Sequence, residues 1–114
     1  MALTIQSRSV HGVPVLDLSR SIDIGPSLAA LSDSVTSVLE DLKPSRIVLN
    51  VRSLSCMDSA GSGQLMLLFS SAARQNCQPV IAAANKGIRQ TLRATRMDSV
   101  LILADDDEAA VALS

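Results

Sequence analysis

Residues 47–63 read Ile47-Val48-Leu49-Asn50-Val51-Arg52-Ser53-Leu54-Ser55-Cys56-Met57-Asp58-Ser59-Ala60-Gly61-Ser62-Gly63, and their order sets the architecture of the chain. Ile47–Val51 is apolar apart from Asn50. A run that does not alternate suits a central strand covered on both faces. Arg52–Met57 reads as a loop. Asp58 and Ser59 then stand at the mouth of a helix that carries Leu65, Met66, Leu68, Phe69 and Ala72 inward and runs to about Arg74. Its wide apolar face predicts a well-buried helix. A buried strand feeding a helix is the building unit of a layered α/β sheet.

The Asp58-Ser59 pair has two uses at that position. Either side chain can accept from the free backbone donors of the first helical turn, which is by itself a sufficient structural reason for the pair. The same helix end is also a favourable place for a phosphate, and Gly61 and Gly63 let the backbone approach one closely. A phosphate on Ser59 would add about −1.5 to −2 charges. The helix dipole accommodates such a charge, whereas Asp58 opposes it. The fold is therefore expected to survive the modification, while a docked partner would meet a new, hydrated charge. That is a physical basis for a switch that controls binding.

Working outward towards the N-terminus, Leu3–Ser7 and Val13–Leu18 read as strands, with His11-Gly12 between them as the turn of a hairpin. Gly25-Pro26-Ser27 opens a helix, since proline suits a first helical turn. Leu28, Leu31, Val35, Val38, Leu39 and Leu42 follow at helical spacing. Pro44 ends this helix and biases Lys43 out of the helical region. Towards the C-terminus, Pro79–Ala83 reads as a strand and Lys86–Arg96 as a helix with Ile88 and Leu92 inward. Lys86, Arg89, Arg93 and Arg96 form a basic stripe on that helix, which reads first as a solvated face and second as a surface for an acidic partner. Val100–Leu103 is a short strand. Asp105-Asp106-Asp107-Glu108 opens a last helix with Ala109, Val111 and Leu113, where acids complement the helix dipole. The order ββαβαβαβα predicts a single α/β domain over residues 1–114. Its sheet is mixed but mostly parallel, with about five strands and about four helices, and its first pair is antiparallel.

Composition narrows the function. The 114 residues contain one aromatic side chain, Phe69, which excludes sites that stack bases on rings. A net charge of −1 gives no reason to expect a polyanion, so no direct nucleic-acid contact is expected. No apolar run approaches the length of a membrane span, so no membrane role is expected. Met1–Val10 lacks the apolar core of a secretory signal, and a cytoplasmic setting with Cys56 and Cys77 as free thiols is expected. Two cysteines and His11, widely scattered, show no metal-ligand spacing, and no cofactor is expected. A hydrolase elbow around Ser62 fails because Ala60 and Gln64 stand where glycine is needed. A dinucleotide loop at Gly61-x-Gly63 fails because Met66 replaces the third glycine. The chain is not expected to be an enzyme. With no obvious unpaired apolar face, a monomer is expected.

Taken whole, the chain resembles the STAS domain, and within it the bacterial anti-sigma factor antagonists. The resemblance is carried by Ile47–Val51 followed by Met57-Asp58-Ser59-Ala60-Gly61-Ser62-Gly63, by Pro79–Ala83, by Ile88 and Leu92 followed by Met97-Asp98, and by the closing acidic helix. It implies a partner that is both an anti-sigma factor and a serine kinase, and a serine phosphatase that resets the switch. It also implies that Ser59 is the phosphate acceptor. Asp58 matches the acid beside the acceptor, and Asp23 matches an acidic residue of the early loop that lies near it. Asp23, Asp58, Ser59, Ala60, Gly61, Ser62 and Gly63 are the implied partner-binding set. Ser62 stands where Leu or Ile is common, and Arg20, Ser21, Gly25 and Pro26 depart from the pattern of the early loop. Within the same fold, a phosphorylation-independent subunit of a transport complex or a stressosome-like scaffold is the alternative.

Overall fold

The computed structural model describes residues 4–22, 26–57, 59–96 and 102–112. His11 and Gly12, at φ of 50° and 80°, form a two-residue turn with both central residues left-handed. Such a turn matches the natural twist of a hairpin. It joins β1 (Thr4–Val10) to β2 (Val13–Ile22) in antiparallel register, with Val10 opposite Val13. The helix α1 (Pro26–Leu42) follows, then β3 (Arg46–Met57), α2 (Ser59–Arg74), β4 (Gln78–Ala82), α3 (Lys86–Ala94), β5 (Ile102–Ala104) and α4 (Asp107–Ala112). The sheet order is β1-β2-β3-β4-β5, and every pair after the hairpin is parallel. The predicted element order and sheet type are those observed.

Two strands outrun their sequence reading. The polar stretch Ser19–Ser21 continues β2, and Arg52–Met57, expected as a loop, continues β3. The reason lies in the register. Asp17 pairs with Asn50 and Ser19 with Ser53, then Arg20 with Leu54 and Ser21 with Cys56. At each of these two steps β3 spends one residue more than β2, the signature of a β-bulge. Each extra residue reverses the alternation of faces. Ile47, Leu49 and Val51 therefore share one core cluster with Leu54 and Met57 despite the broken spacing. A period-2 reading stops at Val51 because the pattern it seeks has shifted phase.

The sheet has two unlike faces. On one, α1, α2 and α3 lay Leu31, Val35, Leu39, Leu65, Leu68, Phe69, Ile88 and Leu92 over Leu16, Leu49 and Ile81. On the other, α4 covers a smaller cluster of Val15, Val48, Val80, Ala82, Ala104 and Ala110. Ile47–Val51 is thus covered on both faces, as its composition predicts. Leu42 and Met66, expected inward, are 64 % and 40 % exposed. Leu42 is the last residue of α1, where the helix ends; Lys43 then turns left-handed (φ 45°) and donates to the Leu39 carbonyl. At the end of α2, Asn76 takes the left-handed position, with Asn76 N–H to Ala73 and Cys77 N–H to Ala72, a Schellman closure that buries Cys77. Burial pushes the Cys77 thiol above its ordinary pKa. Leu3, Val100 and Leu113, assigned to elements on sequence, lie outside the described residues, as does Leu101.

A helix of six residues has no stability of its own, so α4 depends on what holds it. Asp106 accepts from the Ala109 N–H at 2.8 Å and caps its start. At its far end the Arg46 guanidinium donates to the Val111 carbonyl at 3.0 Å. Asp107 accepts from Asn50 Nδ2 at 2.8 Å and from Arg8, whose guanidinium also grips Asp17 at 2.5 and 3.0 Å. The bonds to Asp17 and then to Asp107 hold the Arg8 pKa above its ordinary value. The acidic run is therefore divided by task. Asp106 caps, Asp107 ties α4 to β1 and β3, and Asp105 lies 3.6 Å from Arg89.

Asn50 is only 8 % exposed and serves both Asp107 and the Arg52 N–H. Asn50→Ala should therefore cost about 1–3 kcal/mol, because it strands a backbone donor and releases one tie of α4. Urea denaturation of the two proteins measures it.

Candidate functional site

Parallel strands deliver their C-terminal ends to one edge of the sheet, and the helices that follow them begin there. Ile22, the last residue of β2, pairs with Met57, the last of β3. The two bulges make this possible by letting the longer β3 path finish level with β2. Met57 is 5 % exposed and anchors the strand immediately before the site. Helix α2 then starts at Ser59 and places Ala60, Gly61, Ser62 and Gly63 in its first turns. Below them Leu65, Leu68, Phe69 and Ala72 fix the helix to the core. Asp23 and Asp58 lie outside the described residues; the strand residues before them, Ile22 and Met57, are neighbours.

A third helix is drawn to the same edge by one side chain. Asn85 accepts from the Ile88 N–H at 2.9 Å, capping α3, and its Nδ2 donates to the Leu54 carbonyl at 3.0 Å. Because Leu54 belongs to the bulged part of β3, the cap of α3 is tied to the strand that feeds Ser59. The starts of α1, α2 and α3 thus lie along one rim, each turning the positive end of its dipole towards it.

Along α2, residues 63, 66, 67 and 70 fall on one stripe by helical spacing. Gly63 is exposed, and a Cβ added there would meet nothing within 4 Å. Leu67 is 65 % exposed and Met66 40 %. Among residues 59–73 there is no charged side chain. The stripe through Gly63 and Ser70 is therefore uncharged, with two large apolar side chains exposed. Leu67 escaped the sequence reading although a signal was present. Leu65–Leu68 is four apolar residues in a row, and no helix turns four consecutive positions inward.

The basic stripe of α3 is divided by the structure. Arg89 is half-buried and donates to the Ala84 carbonyl at 3.0 Å, next to Asp105. It therefore helps fix the start of α3, while Lys86 and Arg93 stay exposed.

The STAS domain family model matches residues 4–110. The chain belongs to the STAS domain family. Its fold is similar to that of an anti-sigma factor antagonist from Mycobacterium paratuberculosis, at 20 % identity and a TM-score of 0.84 over 96 % of this chain and 92 % of that one. It is similar to the anti-sigma factor antagonist SpoIIAA in its unphosphorylated form, at 15 % identity and a TM-score of 0.70 over 94 % and 91 % of the two chains. It is similar too to a sulfate transporter family protein from Wolinella succinogenes, at 16 % identity and a TM-score of 0.73 over 90 % and 84 %. No helix among the described residues is long and apolar enough to cross a membrane.

Asn85 joins two elements, so its removal should be felt beyond the cap. Asn85→Ala is expected to lower stability by about 1–2 kcal/mol. It should also speed amide hydrogen exchange in α3 more than in α1; equal acceleration in both helices would contradict the local role given to Asn85.

Proposed function

We propose that this STAS domain is a phosphorylation-controlled binding module, an anti-sigma factor antagonist with no catalytic activity of its own. In this reading the unphosphorylated form binds an anti-sigma factor that is also a serine kinase. Transfer of phosphate from ATP to Ser59 then weakens the complex, and a serine phosphatase restores it. The observation that carries the proposal is the position of Ser59, the first residue of α2, on the rim where β2 and β3 end side by side. A phosphate there would meet helix dipoles that tolerate it, while the core beneath has no need to move. The uncharged stripe through Gly63, Met66 and Leu67 offers an apolar surface next to the acceptor. A docked protein would bury it and would then face a dianion at its border.

Asp23, Asp58, Ala60, Gly61, Ser62 and Gly63 complete the proposed contact set. The likeness to a sulfate transporter family protein supports a second reading, a STAS subunit of a transport complex that needs no phosphate.

Incubation of the wild-type protein with ATP and soluble extract of its own cells, followed by mass spectrometry, is expected to place phosphate on Ser59. Ser59→Ala should remain folded, keep kinase binding and carry no phosphate at that position. With phosphatases inhibited and a control kinase reaction working, unmodified Ser59 would favour the transport reading. Ser59→Asp should weaken kinase binding at least about tenfold, or about 1.4 kcal/mol. An Asp variant that binds as tightly as wild type would remove the charge-release mechanism.

A further inference from the structure

Strand β1 is the outer strand of the sheet, and the hairpin fixes which of its backbone groups are free. In a two-residue hairpin the closing pair exchanges both backbone hydrogen bonds, and bonded and non-bonded pairs alternate from there. Val10–Val13 is the closing pair. Val10, Arg8, Gln6 and Thr4 therefore turn their backbone groups towards β2, while Ser9, Ser7 and Ile5 turn theirs outward. Pro14 gives an independent check. It stands opposite Ser9 and has no N–H, so that pair is of the non-bonded kind.

We propose that two copies of this chain associate through antiparallel pairing of β1 with β1, centred on Ser7, to form one continuous sheet. The choice of a second copy follows from the self-complementarity of the strand. A two-fold axis at Ser7 sets Ser7 against its own equivalent and Ile5 against Ser9, so the outward-facing residues meet one another in bonding phase on both strands. Arg8, the only charge on β1, would lie opposite Gln6, so no like charges oppose each other across the seam. Arg8 is moreover drawn back over the sheet to Asp17 and Asp107 and does not guard the edge. The usual obstacles to edge pairing are missing from Thr4–Val10, which has no proline, no lysine and no register shift. The side chains at Ser7 and Ser9 are small. Asp33 lines the groove beside Ile5 and Ser7, so each copy brings one carboxylate near the seam. Physiological salt screens exposed charges beyond about 8 Å. The monomer expected from sequence followed from the lack of an unpaired apolar face, whereas the free feature here is backbone.

Sedimentation equilibrium of the full chain at physiological salt is expected to show concentration-dependent growth from the 12.0 kDa chain towards a dimer. Ser7→Lys sets two ammonium groups against each other at the axis and should raise the dimer dissociation constant at least about tenfold, with an unchanged circular dichroism spectrum. Ser7→Cys supplies a positive test. Bonded antiparallel pairs hold their Cα atoms about 5.5 Å apart, within disulfide range. Mild oxidation should therefore cross-link this variant into a covalent dimer well above the wild-type background from Cys56 and Cys77, whereas Gln6→Cys, which meets Arg8, should not cross-link. A monomer at every concentration would overturn the proposal. So would a dimer that Ser7→Lys leaves intact, or a Ser7→Cys chain cross-linked no more than wild type. Protection of β1 by an extended segment of another protein, with no self-association, would likewise replace the second copy as its occupant.

Discussion

The parallel pairing of β2 with β3 is the constraint on which the rest of the molecule depends. It runs from Val15–Val48 to Ile22–Met57 and absorbs two bulges on the way. Without the bulges, β3 would run out of step with β2, and its apolar residues beyond Val51 would face the wrong side. With them, Leu54 and Met57 return to the larger core, and the strand reaches the rim just as β2 does. The bulged section also provides the Leu54 carbonyl that holds Asn85 and so sets the start of α3. The bulged stretch thereby bears on the starts of α2 and α3. Bulges are known to re-aim chains beside functional sites, and this one lies directly before the segment proposed to carry the switch.

Much of this was legible in the amino-acid order because periodicity reports burial faithfully in regular elements. Leu31, Val35 and Leu39 gave α1, Ile88 and Leu92 gave α3, and the unbroken Ile47–Val51 gave a strand covered on both faces. Pro26 and Pro44 bounded α1 through backbone restrictions that act whatever the tertiary context. The failures share one cause, since each depended on a neighbour distant in sequence. Ser19–Ser21 is strand because β3 lies beside it. Arg52–Met57 is strand because β2 does. The spacing of Leu54 and Met57 makes sense only once the extra residues are counted. Met66 and Leu42 looked like core because helical spacing does not reveal where the covering layer ends.

For the site, the sequence supplied the residue types and the strand-to-helix setting, and Ser59 does open α2. It did not reveal the exposed Leu67, nor that Arg89 is occupied by the Ala84 carbonyl and Asp105. A basic stripe counted on a helical wheel treats its members as equivalent. In the folded chain one of them, Arg89, holds a helix start, while Lys86 and Arg93 are exposed. The acidic run before α4 was correctly given a structural purpose, but its division into a cap and a tie required the positions of Asn50 and Arg8.

The sheet order also bears on how the molecule comes together. Each strand lies beside the one before it in sequence, so during synthesis every new strand finds its partner already made. The hairpin closes locally, and β3, β4 and β5 then add to the open side, each after its own helix. The exception is α4, whose Asp107 reaches back 99 positions to Arg8. That contact can form only when nearly the whole described chain is present. A nascent chain could therefore hold a largely assembled sheet while its second face still lacks a cover, and the Arg8–Asp107 tie marks the end of assembly.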